Sequence, residues 1–357
     1  MSTHPGATPR AFCAIATRSH LPGALALADS LRTAGNTEPL HVLVADAEAP
    51  ADLPPPTPGI VFHATGGLAV QPPAGMRHYF DAFEYSNALK PFFVTHLLAG
   101  GCDQVIYLDS DIYVTGSFSA VWEALESTSL LLTPHHLSPP PRLPHTDEVA
   151  IVDQGMLNGG FAGWRAGPGA ERILAWMRDS FPQHGFCDRA AGMFVDQKLL
   201  PLALLYFPAE VTVSRDPTLN VAFWNVHERP VAASPAGRRS ISGRAVVFFH
   251  LSGYRLDRPE DPCSYLPAST NAAILEGRAW LREVMDEYRA LLGRHGAAKP
   301  EAPAYRYARW NGIVLNPAYR RILFRGGRLD WGNPEFRRAW AVHRLKLIKR
   351  AILRWLK

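Results

Sequence analysis

Short apolar runs alternate with helical patterns over most of the chain. Phe12 to Thr17 is a continuous apolar run of strand length, and Leu21, Leu25, Ala28 and Leu31 then recur at helical spacing. Ser19 is the predicted N-cap of that helix, Pro22 suits its first turn, and Gly35 is its predicted stop. Leu40 to Val44 is a second strand, ending at Asp46, and Ile60 to His63 is a third, beyond the proline-rich stretch from Pro50 to Pro58. Ala88 to Leu98 carries a helical pattern. Pro91 places its start near Lys90, because proline fits a first turn and breaks an interior one. Val105 to Leu108 is a strong strand followed by Asp109-Ser110-Asp111. Further on, the pattern predicts a short helix over Phe118 to Leu125 capped by Ser117, and a strand over Ser129 to Thr133. Helices are predicted over Gly169 to Phe181 and Gln197 to Leu205, with a last strand at Val246 to His250.

This order predicts an α/β fold with an open, largely parallel sheet flanked by helices. Such sheets bind ligands at the carboxyl ends of their strands, and Asp109 and Asp111 stand at one of those ends. No GxGxxG follows the first strand, so the dinucleotide fingerprint of a dehydrogenase is missing. Past about Cys263 the texture turns helical and basic. The expected organisation is a disordered 1–10, a catalytic domain over 11–265 and a helical appendage over 266–357.

Charge sharpens that division. Glu335 to Lys357 holds eight Lys/Arg against one acidic residue, which leaves the remainder near −2 of the total +5. The body is therefore near neutral, which argues against a nucleic-acid partner. The four cysteines, Cys13, Cys102, Cys187 and Cys263, form no CxxC pair and suggest a reducing compartment. No secretory pattern opens the sequence and no apolar run reaches membrane-span length, so the expected location is cytoplasmic.

Asp109-Ser110-Asp111 is the centre of the chemistry. A strand period of two puts both carboxylates on one side with Ser110 turned away. Two carboxylates that close stay charged cheaply only around a cation, and a divalent ion there can hold a diphosphate. The same tripeptide also reads as a turn with solvated acids.

The surrounding motifs separate these readings. The run Ala88 to Leu98, followed by Val105-Ile-Tyr-Leu-Asp-Ser-Asp-Ile112, resembles the core signature of GT-A glycosyltransferases. Within them it is most similar to the glycogenin-like and lipopolysaccharide-galactosyltransferase-like enzymes grouped as family 8. Leu157-Asn158-Gly159-Gly160-Phe161, Val195-Asp196-Gln197 and Val247-Phe-Phe-His250-Leu-Ser-Gly253 follow in matching order, and Asn220 to Arg229 resembles a segment of bacterial members. The likeness spans roughly residues 11 to 257, and the loop from Pro134 to Asp147 departs from it.

The resemblance implies a metal-dependent transferase using Mn²⁺ or Mg²⁺ and a nucleotide-sugar, with UDP as the nucleotide and retention of configuration. It implies Asp109, Asp111 and His250 as metal ligands. Lys90 would meet the diphosphate, with Ala16, Thr17, Ser110, Gly159 and Gly253 also at the donor. Asn158, Asp196 and Gln197 would hold the donor sugar as the catalytic group. The acceptor would be a glycan, a lipid-linked glycan or a protein.

Plainer readings exist for the same residues. His250 can be a core histidine, Lys90 a solvated lysine, Asn158 an Asx turn, and Asp196 an N-cap that also fixes its carboxylate. Asp153-Gln154 is a rival Asp-Gln pair. His135, His136 and His145 lie in a proline-filled spacing that fits no metal pattern, so they read as an acceptor-facing loop. In the tail, Ala341, Leu345, Ile348, Ile352, Trp355 and Leu356 oppose Lys346, Arg350, Arg354 and Lys357 on a helical wheel. Such a helix suits either an anionic membrane surface at the inner face of the cytoplasmic membrane or packing on the body. Two other functions share these motifs: an inactive transferase-like scaffold or sugar-binding protein, and a haloacid-dehalogenase-like phosphatase. The latter places its Asp-x-Asp on the first strand, whereas here two strands precede it.

Overall fold

The computed structural model describes residues 9–141, 146–235, 237–297 and 304–355. The N-terminal part consists of β1 (Arg10–Ala16), α1 (Leu21–Thr33), β2 (Leu40–Val44), β3 (Ile60–Ala64), α2 (Met76–Tyr79), α3 (Ala82–Ala99), β4 (Gln104–Leu108) and β5 (Ile112–Val114). Then come α4 (Ser119–Ala124), β6 (Leu130–Pro134), α5 (Glu148–Gln154), β7 (Leu157–Arg165) and α6 (Pro168–His184). A small hairpin, β8 (Cys187–Asp188) and β9 (Met193–Phe194), leads to α7 (Leu200–Tyr206), β10 (Val211–Val213) and β11 (Val221–Ala222). Three short strands, β12 (Ala232–Ala233), β13 (Arg239–Ile241) and β14 (Arg244–Ala245), precede β15 (Phe248–His250), α8 (Ala268–Leu275) and α9 (Ala279–Arg294). The last elements are β16 (Arg309–Trp310), β17 (Ile313–Val314), α10 (Pro317–Phe324) and α11 (Pro334–Trp355).

A seven-stranded sheet runs in the order β10-β6-β7-β4-β1-β2-β3. Only β7 is antiparallel to its neighbours β4 and β6, so the expected mainly parallel α/β architecture is present. Both faces of the sheet are covered, which explains why its strands read as unbroken apolar runs. Along β1, Phe12 and Ala14 pack with Leu27 and Leu31 of α1, while Cys13 and Ile15 face Phe92 and Phe93 of α3 and Met177 of α6.

A second sheet, β11-β15-β5, positions the site. The chain leaves the large sheet after Leu108 and enters the small one at Ile112, so Asp109-Ser110-Asp111 is the crossing between sheets. In the small sheet β15 runs antiparallel to β5 with His250 opposite Ile112. That register sets the imidazole beside Asp111.

Several expected boundaries move. α3 begins at Ala82 rather than near Lys90. Asp81 and Glu84 form a reciprocal capping box, each side chain accepting the other's backbone N–H at 2.9 Å. That cap and the buried face of the helix carry it through Pro91, so Lys90 sits mid-helix. Ser19 does not cap α1: its hydroxyl lies 2.9 Å from the Thr17 hydroxyl, and the side chain of His20 at the N-cap makes no capping bond to the helix. Ser117 does accept from Ser119 N, at 3.2 Å. Asp196 is not a side-chain N-cap either. It opens a 3-10 turn, Asp196–Lys198, and α7 starts only at Leu200, where Pro201 suits the first turn.

Beyond Cys263, Trp280, Val284, Met285 and Tyr288 of α9 share a core with Ala26 of α1 and with Phe249 and Leu251. At the tail, Phe336 packs with Tyr319 and Ile322 of α10. Val342, Leu345, Leu347 and Ile348 on α11 are exposed. Leu356 and Lys357, the side chains of Arg350, Ile352, Arg354 and Trp355, His145 and most of the expected disordered N-terminus lie outside the described residues. No described helix is long and apolar enough to cross a membrane.

Candidate functional site

A cleft of about 350 Å³ opens at the carboxyl ends of β4 and β15, walled by Lys90, Asp109, Asn158, Asp196, Gln197 and His250 among others. At one part of it the ligand atoms of Asp109, Asp111 and His250 all lie within 4.8 Å of one another. His250 is buried, its Nδ1 3.1 Å from Asn220 Oδ1 and its Nε2 3.2 Å from Asp111 Oδ1. Asp111 Oδ1 is itself buried and completes no hydrogen bond. Two carboxylates and an imidazole turned on one point, with a buried oxygen left over, fit a hard or borderline divalent cation.

Gly160 keeps this point open. A Cβ there would stand 2.4 Å from His250 Cε1, so no side chain fits. Its neighbour Gly159 is equally constrained, with a Cβ 2.6 Å from Asp196 Oδ2. On the far side of Asp109, the Tyr107 hydroxyl donates to Oδ1 at 2.6 Å.

Lys90 links the two halves of the cleft. Its ammonium donates to Asp196 Oδ2 and to Gly159 O, both at 2.8 Å, and lies 3.7 Å from Asp109 Oδ1. Burial alone would lower the Lys90 pKa, but Asp109 and Asp196 outweigh it and hold the amine above its ordinary value. The other oxygen of Asp196, Oδ1, is buried without a partner. Gln197 is fixed at both ends. Its Oε1 accepts from Gly159 N at 2.9 Å and Asn158 Nδ2 at 3.3 Å, and its Nε2 donates to Gln154 O at 3.2 Å. Asn158 Oδ1 accepts from Gly160 N at 3.0 Å, so the Asx turn is formed and the amide still faces the cleft.

The electrostatics follow from this packing. Burial, reinforced by neighbouring Asp111, raises the Asp109 carboxyl against the pull of Lys90. Burial opposes the ionised form of Asp111 too, yet His250 prevails and holds it below its usual range. Burial disfavours the His250 cation, but Asp111 and Asp109 raise that imidazole overall.

No family model matches the chain. Over 251 residues it is 22% identical to YfnF of Bacillus subtilis (strain 168), an uncharacterized protein, covering 69% of this chain and 82% of that one. The solved galactosyltransferase LgtC, in complex with donor and acceptor sugar analogues, is similar at a TM-score of 0.44 and 15% identity, over 82% of this chain and 97% of LgtC. The glycosyltransferase GlyE of Streptococcus pneumoniae TIGR4 reaches a TM-score of 0.45 at 16% identity, over 81% of this chain and 63% of GlyE. None of these values transfers a function.

The remaining sequence candidates are placed as follows. Ala16 is buried at the end of β1, and the Thr17 hydroxyl lies 2.8 Å from His20 Nδ1. The Ser110 carbonyl packs under α1, where a Cβ on Gly23 would come within 2.6 Å of it. Gly253 adopts φ +75° against Cys263 and Tyr265, a turn that only glycine fills without strain. Of the rival Asp-Gln pair, Asp153 pairs with Arg189 at 3.3 Å, and Gln154 supports Gln197 through its carbonyl.

Three partners escaped the sequence reading. Tyr107 was legible in principle, since it precedes Asp109 by two on the same strand face. Asn220 opens the segment Asn220 to Arg229 noted in the sequence, but its link to His250 was not legible, because the β11–β15 pairing brings the two together. His135, assigned to a loop, is buried with Nε2 3.1 Å from Asn158 Nδ2, and burial lowers its pKa to about 3. His136 instead faces His227, ring to ring at 5.1 Å.

Proposed function

We propose that the chain is a metal-dependent glycosyltransferase of the GT-A type, similar to family 8, acting on a nucleotide-sugar, in the first instance a UDP-sugar. The observation that carries this reading is the convergence of Asp109, Asp111 and His250 beside a second polar cluster, Asn158, Asp196 and Gln197, within one cleft. In this reading Asp109, Asp111 and His250 hold Mn²⁺ or Mg²⁺. The bound ion would neutralise charge on a departing nucleoside diphosphate.

The chain's own groups then divide the work. Lys90, between Asp109 and Asp196, sets both carboxylates and adds positive charge towards the diphosphate. The unpaired Asp196 Oδ1 accepts a hydroxyl of the donor sugar, with the Asn158 amide beside it. Gln197, held rigidly by three hydrogen bonds, stands at the anomeric carbon. Among the described cleft residues the one carboxylate aimed at the sugar, Asp196, is tied to Lys90 and so is a poor nucleophile. Retention therefore follows from an internal-return route. The sugar–diphosphate bond breaks, the acceptor oxygen attacks from the same face, and its proton passes to the leaving phosphate oxygen.

The acceptor is a glycan, lipid-linked glycan or protein. The exposed apolar residues of α11, interspersed with Arg337, Arg344, Lys346 and Lys349, support a reading in which this helix lies on an anionic membrane surface.

The test is thermal-shift binding of UDP, GDP, CDP and dTDP, each with and without Mn²⁺, on wild type and Asp111→Ala. A ligand at about 100 times its Kd stabilises by about 2.7 kcal/mol, a clear shift. A manganese-dependent shift with one nucleotide, lost in Asp111→Ala, is expected. No shift with any nucleotide would sink the reading.

A further inference from the structure

The wall of the cleft continues past the polar clusters onto a surface that neither the metal point nor the donor-sugar cluster uses. Phe83, Asn87 and Lys90 all line the cleft and follow one another at i, i+4 and i+7, so one stripe of α3 runs along it. Phe83, in the first turn of the helix, is 49% exposed. At 1.5 Å per residue it stands about 10 Å along the helix from Lys90. Opposite, Phe194 on β9 precedes Asp196 by two residues and also lines the cleft. The two rings lie 6.0 Å apart, tilted by 58°.

Single exposed phenylalanines are ordinary on protein surfaces and need no explanation. Two adjacent rings in the cleft wall are different, because Phe83 stays exposed and Phe194 only partly buried right beside the polar clusters. Their support is also built. The Arg189 guanidinium stacks over Phe194 at 5.1 Å, and Asp153 at 3.3 Å fixes and neutralises that guanidinium. The aromatic wall with its Arg189–Asp153 pair thus carries no net charge. A neutral ring face next to the polar clusters suits the apolar C–H face of a pyranose, whose hydroxyls can then reach Asn87 and those clusters.

We infer that Phe83 and Phe194, braced by Arg189, are the acceptor platform, and that the acceptor presents an uncharged pyranose unit to them. This rests on the transferase reading above, and it commits that reading to a carbohydrate acceptor rather than to a protein side chain alone. The platform is continuous with the donor-sugar cluster along α3 and along the Phe194–Asp196 segment. A stacked pyranose therefore lies edge to edge with a sugar held by Asp196.

The experiment is saturation-transfer-difference NMR on the full chain with UDP, Mg²⁺ and a panel of methyl pyranosides (glucose, galactose, mannose and N-acetylglucosamine, both anomers). In the wild type, UDP and at least one pyranoside receive saturation, the pyranoside through protons of one ring face. Phe83→Ala and Phe194→Ala each weaken the pyranoside by about tenfold, the scale of a truncated binding anchor. Phe194→Tyr keeps it, and UDP is unchanged throughout. Both positions are partly exposed, so the folded state tolerates the truncations, and the UDP signal reports folding in the same tube. If no pyranoside is saturated while UDP is, or if both alanine variants leave the pyranoside unchanged, the platform is overturned and the donor reading survives. If the variants abolish UDP contact along with the pyranoside, the wall belongs to the nucleotide and the assignment fails. Silence of UDP in the wild type with a pyranoside still seen removes the donor reading and leaves a sugar-binding platform.

Discussion

A methyl group on Gly160 would stand 2.4 Å from His250 Cε1, and one on Gly159 would stand 2.6 Å from the Asp196 carboxylate. Each glycine therefore sets the position of a neighbour it cannot bond. Gly160→Ala should push His250 off its line to Asp111 and cost about 1–3 kcal/mol of stability, as overpacking does. Thermal melts should show that loss, and the manganese-dependent nucleotide shift should vanish with it. A second prediction concerns the buried pair. Lys90→Met leaves the Asp196 carboxylate without its cation and should destabilise by about 3 kcal/mol in urea unfolding. Adding Asp196→Leu to that variant should recover much of the loss, whereas additive losses would show that the pair is not a unit. At this scale the sequence named Asp109, Asp111, His250, Asn158, Asp196 and Gln197, the six groups that converge. It missed His135, Tyr107 and Asn220, which reach the site through pairing and packing that local spacing does not encode.

At the scale of elements, the strands were legible because both faces of the large sheet are covered, so burial prints a continuous apolar run. Helix starts were less so. Pro91 looked like a beginning, but the Asp81–Glu84 capping box sets the start of α3 two and a half turns earlier. Asp81→Ala should cost about 1 kcal/mol and fray the turn that carries Phe83, readable as faster amide exchange there. β2, β3 and α3 also meet in a histidine cluster: His41 Nδ1 lies 2.9 Å from His63 Nε2, and the His63 and His96 rings are 5.2 Å apart. Burial, then His41 and His96, lower the His63 pKa to about 4. The unfolded chain, with an ordinary histidine near 6.5, binds more protons between those values. Stability from this group is therefore present at pH 7 and is lost as pH falls from about 6.5 towards about 4. Urea midpoints measured down that range should fall, and His63→Gln should flatten the slope.

For the whole molecule, the mainly parallel α/β plan was readable from the order of runs, while of the small β11-β15-β5 sheet only β15 was, within the strand expected at Val246 to His250, since β11 and β5 are two and three residues long. The tail was read as either lying on a membrane or packing on the body. Among the described residues Phe336 packs on α10 and the His343 ring lies 6.2 Å from that of Tyr319, whereas Leu345 is 65% exposed. Vesicles containing phosphatidylglycerol should sediment the full chain, vesicles of phosphatidylcholine should not, and about 0.5 M salt should release it. Binding to both vesicle types alike would remove the electrostatic part of that reading. The crossing at Asp109-Ser110-Asp111 has a consequence for motion. Asp109 follows a strand of one sheet, while Asp111 precedes β5 and His250 ends the central strand β15 of the other, and the two sheets share no hydrogen-bonded ladder. A ligand gripping all three would rivet together two plates that are otherwise joined by side-chain packing such as Phe248 on Phe161. The amides of Ile112 and His250 should then exchange about a hundredfold more slowly at a ligand concentration of about 100 times Kd, whereas β2 and β3, away from the rivet, keep their rates.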